Sequence, residues 1–310
     1  MEITFGISTG FAIKRWGDPK EWIRFVKEEL GLDVIQFSFD QFDPRGRKES
    51  VQGYCELVRN ECEKRNVLIH STFTGLSIYS HNLLYHPLLE GRIDGLDWFE
   101  HAFSMTEKLG TNGTGGPFGG MDLNTFFDIQ QRMYMEKWGE EALVSLLQKA
   151  KTYGIEHFYW EPTPIMRENP VTIKEIKDFL EKIRGLAGRD AASLSICFDV
   201  GHTTNREASG DDANPYAWMT RLSDYISIIH LQQTDGTLDR HWPFTSRYNE
   251  IGKINASELI ESVEQMERER MTLLLEIGHP FEEDDAVVKK EIMESVNYWR
   301  SALKEKGYEI

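Results

Sequence analysis

Short apolar runs alternate along the chain with longer segments whose apolar positions recur every three or four residues, and polar loops separate the two. The apolar runs predict strands at 3–8, 33–38, 67–71, 110–115, 157–161, 193–199, 225–231 and 272–276. The amphipathic segments predict helices at 19–30, 52–65, 92–109, 137–153, 172–185, 215–222, 256–268 and 285–306. In the first of these, Trp22, Phe25, Val26 and Leu30 share one helical face. Thr172 and Asn255 each precede an acid by three positions, Glu175 and Glu258, the spacing of a capping box at a helix start. Eight strands alternating with eight helices imply parallel βαβ units. Eight such units favour closure into a (β/α)8 TIM barrel, read here as one catalytic domain over residues 1–310. A doubly wound open sheet is the rival. Its glycine-rich first turn is missing from Ser8-Thr9-Gly10-Phe11. The longest connections, at 72–91, 116–135 and 232–255, follow strands three, four and seven, where a barrel builds its active site.

A length of 310 residues and 40% hydrophobic content suit a barrel with a full core. The 35 Lys and Arg against 51 Asp and Glu leave a net charge of -16. Such a surface repels phosphate backbones and anionic membranes, so neither nucleic acid nor membrane is an expected partner. Cys55, Cys62 and Cys197 form no CxxC and are odd in number, which argues for buried thiols in a reducing compartment. The opening residues, MEITFGIST, carry no basic region and no long apolar run, and no stretch approaches a membrane span. A cytoplasmic protein is expected.

Four consecutive strands end on an ionisable residue after an apolar run: Glu161 after Phe158-Tyr159-Trp160, Asp199 after Ile196-Cys197-Phe198, His230 after Ser227-Ile228-Ile229, and Glu276 after Leu273-Leu274-Leu275. One strand-end carboxylate commonly caps a loop. Four in a row at one end of a barrel want a cation, because unpaired carboxylates are costly to bury. Three carboxylates and an imidazole suit one divalent metal ion, Mn2+, Mg2+ or Co2+, and Zn2+ is also compatible. His70, closing the third strand, and His202, three residues after Asp199, fall in the same expected layer. Asp239, Arg240, His241 and Arg247 sit in loop seven, and all six are candidate substrate-binding residues. The glycines between Gly113 and Gly120 suggest a phosphate cradle, without the Lys-Ser/Thr of a P-loop. Phe73, Phe118, Trp160 and Trp242 are candidate pocket walls.

With Glu161, Asp199-Val200-Gly201-His202, His230, Asp239-Arg240-His241 and Glu276 in place, the chain resembles the sugar-phosphate isomerase/epimerase superfamily. These are xylose isomerase-like TIM barrels that include ketose 3-epimerases. The segments 70–75 and 232–245 are similar, more narrowly, to enzymes of tetritol catabolism acting on erythrulose phosphates. The resemblance implies a metal-dependent isomerase or epimerase of a small ketose or ketose phosphate. Glu161 and Glu276 would each bind the metal and face opposite sides of the sugar; one removes the proton beside the carbonyl and the other returns it to a cis-enediolate. By the same resemblance His202 would hydrogen-bond a substrate oxygen, and Arg240 or Arg247 a hydroxyl or phosphate. Barrels of this family often pair, so a homo-oligomer is compatible. Two departures stand out: Arg167 then Glu168 where relatives carry an acid, and neutral Gln232-Gln233 after His230. Two alternatives remain, an inosose dehydratase-like lyase on a polyol and an apurinic endonuclease-like zinc phosphodiesterase. The second needs a histidine on strand four, yet none occurs between His101 and His157.

Overall fold

Alternation along a strand sends successive side chains to opposite faces, and in this chain both faces of every central strand are covered. The computed structural model describes residues 1–204 and 207–309. Eight parallel strands, β1 (Glu2–Ser8), β2 (Val34–Ser38), β3 (Leu68–Phe73), β4 (Gly113–Gly116), β5 (His157–Trp160), β6 (Ser193–Asp199), β7 (Ile226–Leu231) and β8 (Arg270–Leu275), form one sheet. Their order is β3-β2-β1-β8-β7-β6-β5-β4, which brings β4 round beside β3. There the Thr74 amide donates to the Gly115 carbonyl at 3.0 Å, and the hydroxyls of Thr72 and Thr114 meet at 2.8 Å. This is the nearly closed (β/α)8 barrel that the alternation predicts.

Around it lie α1 (Pro19–Arg24), α2 (Lys48–Arg65), α3 (Leu76–Tyr79), α4 (Leu89–Leu109), α5 (Leu123–Phe127), α6 (Ile129–Thr152), α7 (Ile173–Ala187), α8 (Pro215–Arg221), α9 (Ser246–Asn249), α10 (Ala256–Glu264) and α11 (Asp285–Glu305). Thr172 and Glu175 form the predicted capping box, and the Asn255 side chain accepts from the Glu258 amide. Connection four is shorter than the sequence suggests, because α5 and the first turns of α6 occupy it. Asp122 and Asp128 start those helices by accepting their orphan amides. No helix among the described residues is long and apolar enough to cross a membrane.

Outward strand residues such as Phe158, Phe198 and Leu273 join Trp22, Trp218 and Trp299 in a continuous core between barrel and helices. Inward residues form a smaller plug: Val34, Phe73, Tyr159, Cys197, Ile228 and Leu274. That plug is the floor of the site.

β3 runs on to Phe73 instead of stopping at residue 71, and the difference moves His70. The ring lies in the N-terminal half of the barrel, its Nδ1 3.0 Å from Ser71 Oγ and its Nε2 3.2 Å from Thr272 Oγ1. Burial, helped by nearby His157, pushes its pKa down to about 4 from an ordinary 6.5. The unfolded chain therefore holds a proton between those values that the native state rejects. Stability is full above pH 6.5 and falls as pH drops toward 4. At about pH 5 this residue costs about 2 kcal/mol. His70→Gln is expected to flatten the pH dependence of urea stability by that amount, and an unchanged slope would refute the assignment.

Candidate active site and metal centre

The residue two positions beyond each inward apolar plug residue also points inward, one layer higher. Tyr159 is thus followed by Glu161, Cys197 by Asp199, Ile228 by His230, Leu274 by Glu276 and Val34 by Gln36. Parallel ladders fix this layer, pairing Asp199 with His230 and His230 with Leu274.

His230 is its centre. Its Nδ1 lies 3.0 Å from Glu161 Oε1 and 2.9 Å from Glu276 Oε2, and Phe73 meets the ring edge-on. Burial alone would lower the His230 pKa, but Cys197 and the two glutamates hold it well above the ordinary range. Glu161, Asp199, His230 and Glu276 offer ligand atoms within 4.8 Å of one another. Asp199 Oδ1 accepts from the Gly201 amide at 2.6 Å and from Gln232 Nε2 at 2.8 Å. Its Oδ2 is buried with no hydrogen-bond partner, and burial pushes the carboxyl up to about 7. A buried carboxylate with one oxygen unpartnered, grouped with two further carboxylates and an imidazole, is a donor set that suits a divalent metal.

The sequence reading overlooked Gln36. Its Oε1 accepts from His230 Nε2 at 2.7 Å while its Nε2 donates to Ser71 Oγ at 3.2 Å. This fixes the imidazole with Nδ1 free to act as ligand. The available signal was a glutamine in a buried strand, two positions after Val34. Gln36→Leu is expected to weaken divalent-metal affinity by 10- to 100-fold in titration calorimetry; wild-type affinity would show that Gln36 is mere packing.

Beside these four side chains, Asp239 Oδ2 sits 3.2 Å from both His202 Nε2 and His241 Nε2. His202 Nδ1 donates to the Pro162 carbonyl at 2.9 Å, so both its nitrogens are engaged. Gln232 bridges Asp199 and Asp239 through Nε2 and accepts from the Arg240 and His241 amides through Oε1. Its neutrality is thus a requirement: the amide both donates and accepts. A Cβ on Gly201 would fall 2.4 Å from the Gln232 side chain, which explains the glycine in Asp199-Val200-Gly201-His202.

A cavity of about 250 Å³ opens above this layer, lined by Glu161, His202, Asp239, His241 and Glu276, with Asp40 and Tyr79 opposite. Asp40 accepts from the amides of Leu76 and Ser77 at 2.6 and 3.0 Å, capping α3. Where the sequence offers Arg167 and Glu168, the arginine turns away to the Met121 carbonyl. Glu168 turns inward to Thr163 Oγ1 at 2.7 Å, and burial raises its pKa.

The xylose isomerase-like TIM barrel family model matches residues 24–280. The chain belongs to that family. It is 25% identical over 301 residues to the D-erythrulose 1-phosphate 3-epimerase of Brucella abortus, covering 96% of each chain. Among solved structures, a provisionally named xylose isomerase of Rhodospirillum rubrum superposes with a TM-score of 0.89 at 27% identity, over 96% of this chain and 99% of that one. A D-psicose 3-epimerase from Clostridium cellulolyticum shares the fold, with a TM-score of 0.72 at 15% identity over 97% and 99%.

Of the residues expected in this family member's site, the structure brings together Glu161, Asp199, His202, His230, Asp239, His241 and Glu276. Three expectations are corrected. His70 lies below the plug and not at the mouth. Arg240 pairs with Asp235 at 2.9 Å and covers the Trp242 ring, which holds it in its own loop. Arg247 is exposed on α9 over Tyr248. Nor do the loop-four glycines form an open cradle: a Cβ on Gly116 or Gly119 would strike Thr74 Oγ1 or the Asn82 carbonyl, so close packing requires them. Trp160 and Phe118 stack together in the outer core, and Trp242 stacks on Tyr248, so neither tryptophan walls the cavity.

Proposed function

We propose that this chain is a metal-dependent epimerase or isomerase of a small ketose or ketose phosphate, acting through a cis-enediolate. The observation that carries the reading is the convergence of Glu161 and Glu276, from β5 and β8, on one imidazole nitrogen at the floor of one cavity. A divalent ion on Glu161, Asp199, His230 and Glu276 would polarise the substrate carbonyl and acidify the adjacent C–H. One glutamate takes that proton as base and the other delivers a proton from its own side, inverting the centre. Asp239, held by His202 and His241, presents hydrogen-bonding capacity to the sugar hydroxyls. Return of the proton to the neighbouring carbon gives aldose–ketose isomerisation with the same groups.

The Brucella relative's named activity makes tetrulose phosphates the first substrates to test. The zinc phosphodiesterase alternative loses support, since His70 is remote from the mouth and β4 ends in glycine. The experiment is incubation of the metal-loaded protein in D2O with free and 1-phosphorylated tetruloses, pentuloses and hexuloses, followed by proton NMR. Exchange with inversion at C3 is expected; absence of exchange on every ketose would overturn the enediolate scheme.

A further inference from the structure

Two spaces meet at the barrel mouth. The inner cavity of about 250 Å³ has Glu161 and Glu276 among its lining residues. Outside it lies a groove of about 650 Å³, lined by Pro164, Ile165, Arg167 and Leu238. Tyr79 and Asp239 line both. Asp239 is fixed from behind, since Gln232 donates to its Oδ1 and the two histidines hold its Oδ2. Tyr79 is a different kind of wall. It ends α3, a four-residue helix whose first two amides donate to Asp40. Gly75 permits that approach, because a Cβ there would fall 2.2 Å from the Asp40 carboxyl. Leu76 and Ser77 are exposed, Tyr79 is half-buried, and its hydroxyl interacts with Thr163 and Glu168 of loop five. The ring thus bridges loops three and five where the inner cavity gives way to the groove.

We propose that the Tyr79 ring is the chain-length gauge of this site, admitting tetruloses and excluding hexuloses. The inference rests on the epimerase or isomerase reading above. Under that reading the carbonyl and the carbon beside it sit over Glu161 and Glu276. The remaining carbons then run across the cavity toward Tyr79. Size supports a short substrate: pockets for small ligands usually span roughly 300–1,000 Å³, and this one is smaller. Position singles out Tyr79 among the walls. Ser38, Thr74 and Pro117 are buried, so no open space backs them. Behind Tyr79 lies the groove, and truncating the ring joins the two volumes. A wall that refuses one extra carbon is worth about 10- to 200-fold in kcat/KM. That discrimination acts on length alone, leaving the proton-transfer groups untouched.

The test compares kcat/KM for a tetrulose and a hexulose, as free sugars and as 1-phosphates, using the metal-loaded full chain. Wild type should prefer the tetrulose by at least about 10-fold within each series. Tyr79→Ala should cut that preference by at least about 10-fold, whereas Tyr79→Phe, which keeps the ring, should retain it. A residue that merely braces the loops would lower both substrates in parallel, so an unchanged ratio in Tyr79→Ala overturns the proposal. So does a wild type that accepts both lengths equally, or a phenylalanine variant that relaxes as far as alanine. If wild type turns over no ketose of any length, the enediolate scheme falls, and the gauge is read from binding instead. Calorimetry with erythritol and sorbitol should then show wild type favouring the shorter polyol and Tyr79→Ala losing that preference. Equal binding of the two by wild type would overturn the gauge on its own.

Discussion

Glu161→Gln and Glu276→Gln are each expected to lower turnover by about 1,000-fold or more while the protein remains folded. A positioned proton-transfer group contributes roughly 100- to 10,000-fold, and each glutamate is also expected to lose value as a metal ligand. Glutamine preserves the volume of the buried side chain and removes negative charge from a crowded layer, so the fold has little reason to fail. The two functions separate experimentally. Metal content after dialysis reports the ligand role, and deuterium exchange reports the base. In a variant that keeps its metal, the surviving glutamate should still exchange the proton of the one epimer it faces, without inversion. Full interconversion in either variant would sink the two-glutamate scheme.

Chelation is the second large effect. Removing the divalent ion is expected to abolish turnover and to lower the melting temperature, with recovery on adding Mn2+, Mg2+ or Co2+. Metal at about 100 times its Kd stabilises by about 2.7 kcal/mol, on the order of 4 °C for a chain of this size. Without a cation, Asp199 sits near neutrality in pKa and His230 retains a proton between Glu161 and Glu276. Binding must expel protons from this layer, so apparent metal affinity should fall as pH drops below about 7. Asp199→Asn is expected to reduce metal content after dialysis. A chelated protein that keeps its melting point and its activity would mean that the ligand set is misread.

Most of this layer was legible because strand periodicity is a strong constraint. A polar residue two positions past an inward apolar one has to surface at the mouth, and Glu161, Asp199, His230 and Glu276 all obey that rule. Gln36 obeys it as well. It went unread because a neutral amide in a strand carries no chemical alarm, and its role exists only through His230, 194 positions away. His70 was misread because height in a barrel depends on register with neighbours, and β2 and β3 shift register between Ile35 and Gln36. No local pattern encodes that shift. Arg240 and Arg247 show the limit for loops: a guanidinium's partner is chosen in three dimensions, and Asp235 and the aromatic rings claimed them.

The join between β3 and β4 has a consequence for where the barrel is stiffest. Every other neighbouring pair of strands is tied by a ladder, whereas this join rests on the Thr74–Gly115 backbone bond and a chain of threonine hydroxyls. The barrel is therefore closer to a split ring than to a hoop. All four candidate ligands lie on or directly after β5 through β8, which are laddered without interruption. A split ring flexes at its gap while the opposite arc keeps its curvature. The laddered arc opposite the gap is therefore the part of the barrel that sets the spacing of the acids and the imidazole.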